Sequence, residues 1–426
     1  METILYGLLL LVLALLGAPL FAIIGAIAML SFAGEGIDSS AVTVELYRIA
    51  SNPTLVAIPL FTFAGYLLAE SKAPIRLVNL ARALFGAIPG GLAVVALATC
   101  ALFTAFTGAS GVTIVAIGGL LYPILLKEHY PERFSLGLIT TSGSLGLLFP
   151  PSLPLILYAL VAQISVDKLF AAGLLPGILL VAILSFYSIR KGKKLNVPKT
   201  PFEWSNVKRA TRVAAWEIPL PFVVIGGIYG GIFTATEAAA VTAFSVLVVE
   251  VLVYKDLKLF SDVPRVMRES MLLVGAILMI LGASMGLTNY LIDEEVPVKL
   301  FEFTKTFITD PIVFLVVLNV FLIIVGMMMD IFSAIIVVVP LIVPIAIGYG
   351  VNPVHLGIIF LTNLEIGYLT PPVGLNLFIS SLRFNKPVFS VVRSILPYIG
   401  ILFIALLIIT YVPGLSLWLV ELLGVR

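Results

Sequence analysis

Four short stretches of this chain set hydroxyl, amide and glycine residues inside otherwise apolar sequence. They are Thr107-Gly108-Ala109-Ser110-Gly111, Thr141-Ser142-Gly143-Ser144, residues 326–333 and Asn363-Leu364-Glu365-Ile366-Gly367. In hydrocarbon, irregular backbone is tolerated only where protein buries it or it lines an aqueous cavity, because its N–H and C=O groups need partners. A helix broken at that depth presents carbonyl oxygens at one half-helix end and free N–H groups at the other. The carbonyls suit cations and the N–H groups suit carboxylates, while Ser, Thr and Asn oxygens complete a hard-cation shell without adding charge. These residue types therefore fit Na⁺ bound beside an organic anion. Small residues also simply allow close helix packing, but four such stretches at matched spacing favour a site.

Two acids fall in the same stretches, Asp330 and Glu365. An ionisable residue at membrane depth is a functional candidate because burying it is costly. The alternative is a structural carboxylate held by local hydroxyls or backbone donors. Both acids belong to the second half of the chain, and 221 positions earlier stand Ala109 and Ser144. The two cation sites should accordingly differ in charge.

The elements that position these residues are membrane helices. Of the 426 residues 61% are hydrophobic and only 11% charged, with a mean hydropathy of +1.17. Soluble domains carry roughly 25% charged residues, so this chain cannot cover a water-facing surface. Crossing the bilayer core takes about 20 apolar residues, which residues 169–187, 214–233, 238–253, 271–292 and 394–412 supply. Residues 91–126 and 312–347 read as re-entrant hairpins, each interrupted in the middle. Residues 134–163 and 355–382 read as broken helices, each interrupted by Gly and a Pro pair.

The interruptions repeat without gaps. A shift of 221 carries Gly65 to Gly286, Pro123 to Pro344, Thr141 to Thr362, Gly146 to Gly367 and Pro150-Pro151 to Pro371-Pro372. The fold expected is an all-α polytopic membrane protein of two repeats, 1–221 and 222–426, joined by a basic cytoplasmic linker at 190–212. Each repeat reads as two helices, an amphipathic connector (37–49 and 255–269), a helix, the hairpin, the broken helix and a last helix. Five crossings per copy is an odd number, so the repeats have inverted topology, a plan known in secondary transporters. With the linker in the cytoplasm, 20 of the 25 Lys and Arg fall on the cytoplasmic side, as the positive-inside rule requires. Apolar sequence continues from residue 4 through Phe32 with no basic start, so the N-terminus reads as a retained membrane segment.

Other chemistries find little support. One cysteine, Cys100, excludes a disulfide framework or multi-cysteine metal site. His129 and His355 are expected at the surface, at loop edges. Met327-Met328-Met329 reads as packing, Trp204 and Trp216 as interfacial anchors, and Glu237 as part of a helix N-cap with the threonines beside it. There is no nucleophile–base pair, phosphate loop or nucleic-acid stripe, so neither an enzyme nor a nucleic-acid partner is expected. A self-sufficient Na⁺- or H⁺-coupled anion carrier or antiporter shares the same plan, and a non-transporting membrane scaffold is the reading from another class.

The strings at 103–111, 146–152, 231–240 and 363–376 resemble the large membrane subunit of TRAP transporters, and the similarity runs over essentially the whole chain. That resemblance implies Na⁺-driven uptake of a small organic acid, such as a C4-dicarboxylate, sialic acid or a similar carboxylate. It implies an elevator-type mechanism in a bacterial or archaeal inner membrane, amid membrane lipid, with a small four-helix membrane subunit and a periplasmic substrate-binding protein. It places Na⁺ ligands at Thr107, Gly108 and Ser110 with Thr141, Ser142 and Ser144. A second set falls at Gly326, Asp330 and Ser333 with Asn363, Glu365 and Gly367. Substrate would lie between the tips, against Ser110, Ser152, Ser333, Thr370 and Asn376. One departure stands out: Ala109 interrupts what is commonly a Ser-Gly-Ser-Ser run, removing one hydroxyl.

Overall fold

The computed structural model describes residues 16–195, 197 and 201–424, preceded by 7, 9–10 and 12–13. Much of the segment expected at 4–16, Lys199 of the linker and Arg426 lie outside the described residues. Every regular element among the described residues is helical. Among the described residues, eight helices are long and apolar enough to cross a membrane, or nine with one bent pair counted as a span. Large apolar side chains point outward as well as inward: Phe244 is 69% exposed and Leu272 66%. A helix apolar all round belongs in lipid, and this is a multi-pass membrane protein.

The first half runs α1 (Leu20–Gly34), α2 (Ser40–Ala50), α3 (Ala57–Glu70), α4 (Ala73–Phe85), then the hairpin α5 (Gly91–Thr107) and α6 (Ser110–Lys127). The broken helix follows as α7 (Glu132–Ser142) and α8 (Leu153–Val161), then α9 (Val166–Leu195). After α10 (Trp204–Val213), the second half runs α11 (Pro219–Tyr229), α12 (Ala235–Val253), α13 (Asp262–Asp293), α14 (Val296–Phe307) and the hairpin α15 (Pro311–Met328) with α16 (Ile331–Gly348). Its broken helix is α17 (Pro353–Gly367) with α18 (Leu375–Phe384), followed by α19 (Val388–Tyr411) and α20 (Gly414–Leu422).

The duplication is written into the helix ends. Adding 221 to the last residue of α5 and the two ends of α6 returns 328, 331 and 348, the bounds of the second hairpin. The peptide bonds Pro150-Pro151 and Pro371-Pro372 are both cis. The architecture is two inverted-topology repeats, each with a re-entrant hairpin and a broken transmembrane helix.

Several expectations are corrected. Residues 255–269 are not a separate amphipathic connector, because Asp262–Asp293 is one 32-residue helix. Pro264, the obvious breaker, sits in its first turn, where no intrahelical N–H is lost. In the first half the matching sequence does break, at Asn52-Pro53, so α2 and α3 are separate. The span expected at 214–233 holds only the 11-residue α11, too short to cross alone at 1.5 Å per residue. The linker begins inside α9 and contains α10, and the amphipathic helices α4 and α14, which lead into the hairpins, were not anticipated.

His355 is buried rather than at the surface, with Nδ1 3.2 Å from Ser416 Oγ and Nε2 3.2 Å from the Thr410 carbonyl. His129 is exposed, as expected. Glu237 completes a capping box with Thr234 at the start of α12.

Candidate functional site

Both hairpins turn over in two residues. At the first tip Gly108 takes φ +63° and Ala109 is extended before α6 begins at Ser110. Gly108 is required twice over there. Its φ is left-handed, and a Cβ would fall 2.5 Å from Leu153 Cβ at the start of α8. The tip is therefore seated on the second half of its own repeat's broken helix. Thr104 Oγ1, one turn back on α5, lies 2.7 Å from Thr113 Oγ1 and donates to the Gly143 carbonyl at 2.9 Å. Hairpin 1 thus closes over the break that follows Ser142.

The first cluster also reaches the other repeat. Ser110 Oγ donates to Asn376 Oδ1 at 2.7 Å, and Thr140 Oγ1 donates to Ser380 Oγ at 2.9 Å. Asn376 is in the first turn of α18, so residues from both repeats meet at tip 1.

The second tip is built differently. Asp330 is the N-cap of α16, accepting from the N–H groups of Phe332 and Ser333 at 3.0 and 3.1 Å and from the Ser333 hydroxyl. It is exposed. Its two carboxylate oxygens are committed to the helix start, which is the structural role weighed against a transport role. The tip is anchored to the second break by backbone. A Cβ on Gly367 would fall 2.5 Å from Gly326 Cα, and Met327 O accepts from the N–H groups of Val373 and Gly374, both at 3.2 Å. The Ile331 N–H donates to the Tyr368 hydroxyl.

The interruption expected at 363–367 lies further on. α17 stays helical through Gly367, and the break spans Tyr368 to Gly374. Asn363, Glu365 and Gly367 are therefore helical residues, whereas the first break begins directly after Ser142. The difference follows from composition: Leu364-Glu365-Ile366 propagates a helix where Gly143-Ser144 does not.

Burial unites the expected site residues. Thr107, Ser110, Thr141, Ser142, Ser144, Ser152, Ser333, Asn363, Glu365 and Asn376 are all at most 5% exposed. Gly108, Gly326 and Gly367 are buried too, Thr370 is half-buried, and Asp330 is the exception. Among the described residues, nine buried side-chain N or O atoms lack a hydrogen-bond partner. Seven of them belong to this set: Thr107 Oγ1, Thr141 Oγ1, Ser152 Oγ, Asn363 Oδ1, both Glu365 oxygens and Asn376 Nδ2. Buried polar groups are paired as a rule, so these atoms of the first tip and the two broken helices are the exceptions that a ligand could satisfy. The surface clefts do not compete with it. One of about 420 Å³ and another of about 340 Å³ include no tip or break residue in their linings.

Two further acids escaped the sequence reading, although both lie in stretches it assigned to spans. Glu217 and Glu250 surround buried Arg76 of α4 together with Asp256. Glu250 accepts from Arg76 Nη2 with both oxygens, at 2.9 and 2.8 Å. Burial works to lower the Arg76 pKa, but hydrogen bonds to Asp256 and Glu250 raise it above the ordinary value. Burial likewise works to raise the Asp256 carboxyl, which the Arg76 and Lys72 hydrogen bonds hold below the usual range. This cluster ties α4 to α12 and is separate from the tips. The available signal was an arginine in an amphipathic helix with acids inside two apolar spans.

The model of the family "Tripartite ATP-independent periplasmic transporter, DctM component" matches residues 7–415. The chain belongs to this family. It is accordingly a TRAP transporter permease component and not an enzyme. It is 38% identical over 404 residues to the C4-dicarboxylate TRAP transporter large permease protein DctM of Pseudomonas aeruginosa, covering 94% of this chain and 93% of that one. It is 33% identical to the ectoine/5-hydroxyectoine TRAP transporter large permease protein UehC of Ruegeria pomeroyi, covering 96% and 97%. The crystal structure of the Alcanivorax borkumensis YdaH transporter, described as having an unusual topology, shares the fold. Its TM-score is 0.63 at 12% identity, over 88% of this chain and 87% of that one.

Proposed function

We propose that this TRAP permease carries a small organic acid, of the C4-dicarboxylate or a similar carboxylate class, across the bacterial or archaeal inner membrane in symport with Na⁺. The observation that carries the reading is the set of buried, unpaired oxygens of Thr107 at the first tip and of Thr141, Ser152, Asn363 and Glu365 in the two broken helices. Hydroxyl and amide oxygens with backbone carbonyls are the donor set of a hard monovalent cation. Thr107, Gly108, Ser110 and 141–144 form the neutral set, and Gly326, Asn363, Glu365 and Gly367 form the set that adds a carboxylate. The acid lies between the tips, against Ser110, Ser152, Ser333, Thr370 and Asn376.

Transport proceeds by an elevator-type movement in which the hairpins and broken helices travel against the remaining helices. The close seating of Gly108 on Leu153 and of Gly326 on Gly367 supports this, because it lets each hairpin move as one body with its own broken helix. A small four-helix membrane subunit and a periplasmic binding protein complete the system, as the family's tripartite description suggests. The test is uptake into proteoliposomes holding this chain and its small partner, with and without the binding protein, under an inward Na⁺ gradient. Uptake that requires both Na⁺ and binding protein is the expected result. Uptake by this chain alone would make it a self-sufficient carrier and refute the partner assignment.

A further inference from the structure

The residues that bind at tip 1 are held from outside by a helix that carries none of them. A Cβ on Gly65, in the middle of α3, would fall 2.5 Å from the Phe106 carbonyl oxygen and 2.6 Å from Thr107 Cα. Both are backbone atoms, so no side-chain rotation relieves the overlap, and only glycine lets α3 approach the last turn of α5 this closely. Thr107 is the residue whose hydroxyl is buried without a partner, and the Phe106 and Thr107 carbonyls lie at the half-helix end that faces the tip.

The internal duplication supplies a control. Gly286, 221 positions on, occupies the matching place in α13, yet its nearest neighbours are not in tip 2. The three atoms closest to a Cβ there all belong to the Val42 side chain of α2, at 3.1 to 3.3 Å. Ser284 of the same helix donates instead to the Ile336 carbonyl, well inside α16. Tip 2 takes its tight backbone contact from Gly367, the last helical residue before its own break. The two tips are thus fixed by different means, one by α3 and one from within.

We propose that Gly65 is a positioning residue for cation binding at tip 1: its contact with Phe106 and Thr107 fixes the tip backbone, and enlarging it weakens the site. The proposal rests on Na⁺ being the ion bound there. The experiment compares Gly65→Ala with Gly286→Ala in the reconstituted complex, reading the Na⁺ concentration for half-maximal uptake. In parallel, Ala109→Cys in a Cys100→Ser background reports how fast tip 1 reacts with a maleimide. Overpacking against backbone is costly, so Gly65→Ala should raise the half-saturating Na⁺ at least about fivefold and speed labelling, whereas Gly286→Ala should change each by less than about twofold. Equal effects of the two substitutions, or a lower maximal rate for Gly65→Ala with unchanged Na⁺ dependence and unchanged labelling, would overturn the proposal. If uptake by the unmodified protein proves independent of Na⁺, the Na⁺ reading fails by itself. Faster labelling in Gly65→Ala would then still support the positioning contact, and unchanged labelling would overturn that as well. Should Gly65→Ala not reach the membrane, amide exchange in the unmodified complex decides. Residues 107–111 exchanging as slowly as the interior of α5 would support a seated tip, and exchange more than about a hundredfold faster would refute it.

Discussion

The bond from Ser110 to Asn376 is the place to test whether both repeats contribute to one site. Ser110 Oγ donates to Asn376 Oδ1 at 2.7 Å, in surroundings where Asn376 is wholly buried and its Nδ2 already lacks a partner. Ser110→Ala leaves the whole Asn376 amide without a side-chain partner, which costs about 1–3 kcal/mol for a buried group, whereas the net worth of the bond itself is nearer 1 kcal/mol. If that cost falls on the binding-competent geometry, uptake efficiency drops by about five- to 150-fold. Asn376→Ala removes the orphaned amide along with the bond, so adding Ser110→Ala to it should do less harm than Ser110→Ala does alone. A double-mutant cycle on uptake rate at low substrate, with each variant's membrane level and melting temperature matched to the parent, isolates the coupling. A coupling of about 0.5–3 kcal/mol is expected for residues in contact. Strictly additive losses would refute the reasoning, because two residues that share no interaction add.

Three further outcomes follow from the geometry. Gly367→Ala places a Cβ within 2.5 Å of the Gly326 backbone and should lower the melting temperature in detergent by the equivalent of about 1–3 kcal/mol, while Gly400→Ala, which meets nothing within 4 Å, should not. Asp330→Asn keeps a good N-cap for α16 and should retain uptake within about twofold, whereas Asp330→Ala loses about 0.5–2 kcal/mol of capping; equal loss in both would show that the charge itself is used. Arg76→Gln strands three carboxylates around a buried position and should cost about 3–5 kcal/mol in detergent unfolding, whereas Arg82→Gln, whose pair with Glu128 is partly exposed, should cost less than about 1 kcal/mol.

The hairpins and breaks were legible because their signal is local. A glycine or proline pair inside apolar sequence has few explanations in a membrane, and the 221-residue shift carries the first hairpin's turn onto the second. What was misplaced depended on context. Asn363, Glu365 and Gly367 looked like a break because they match the irregular first copy, yet Leu364 and Ile366 carry the helix through them. Pro264 looked like a boundary, and its place in the first turn of α13 makes it harmless. His355 lay between a proline-marked helix start and apolar sequence, and nothing local says that the far end of the chain, at Ser416, covers it. Asp330 shows the converse. Its residue type and depth point to an ion ligand, while the three donors that occupy it become visible only once Phe332 and Ser333 fold back over it.

The asymmetry between the tips bears on how one duplicated unit can hold two different sites. Both tips inherit a helix–turn–helix with the same bounds, so the backbone scaffold of each is equivalent. The first tip spends Ser110 across the repeat boundary on Asn376 and Thr104 within its own repeat on Gly143, and its backbone is braced by Gly65 of another helix. The second spends its carboxylate on its own helix start and its backbone on its own break. A cation entering the first site therefore competes with contacts that join separate elements, so its binding and the relative placement of the repeats are linked. Binding at the second is local to one hairpin and one helix. If Na⁺ binding changes the position of the moving unit, the first tip is where that change begins, and loss of Gly65 packing, at a residue outside both ligand sets, should alter Na⁺ dependence.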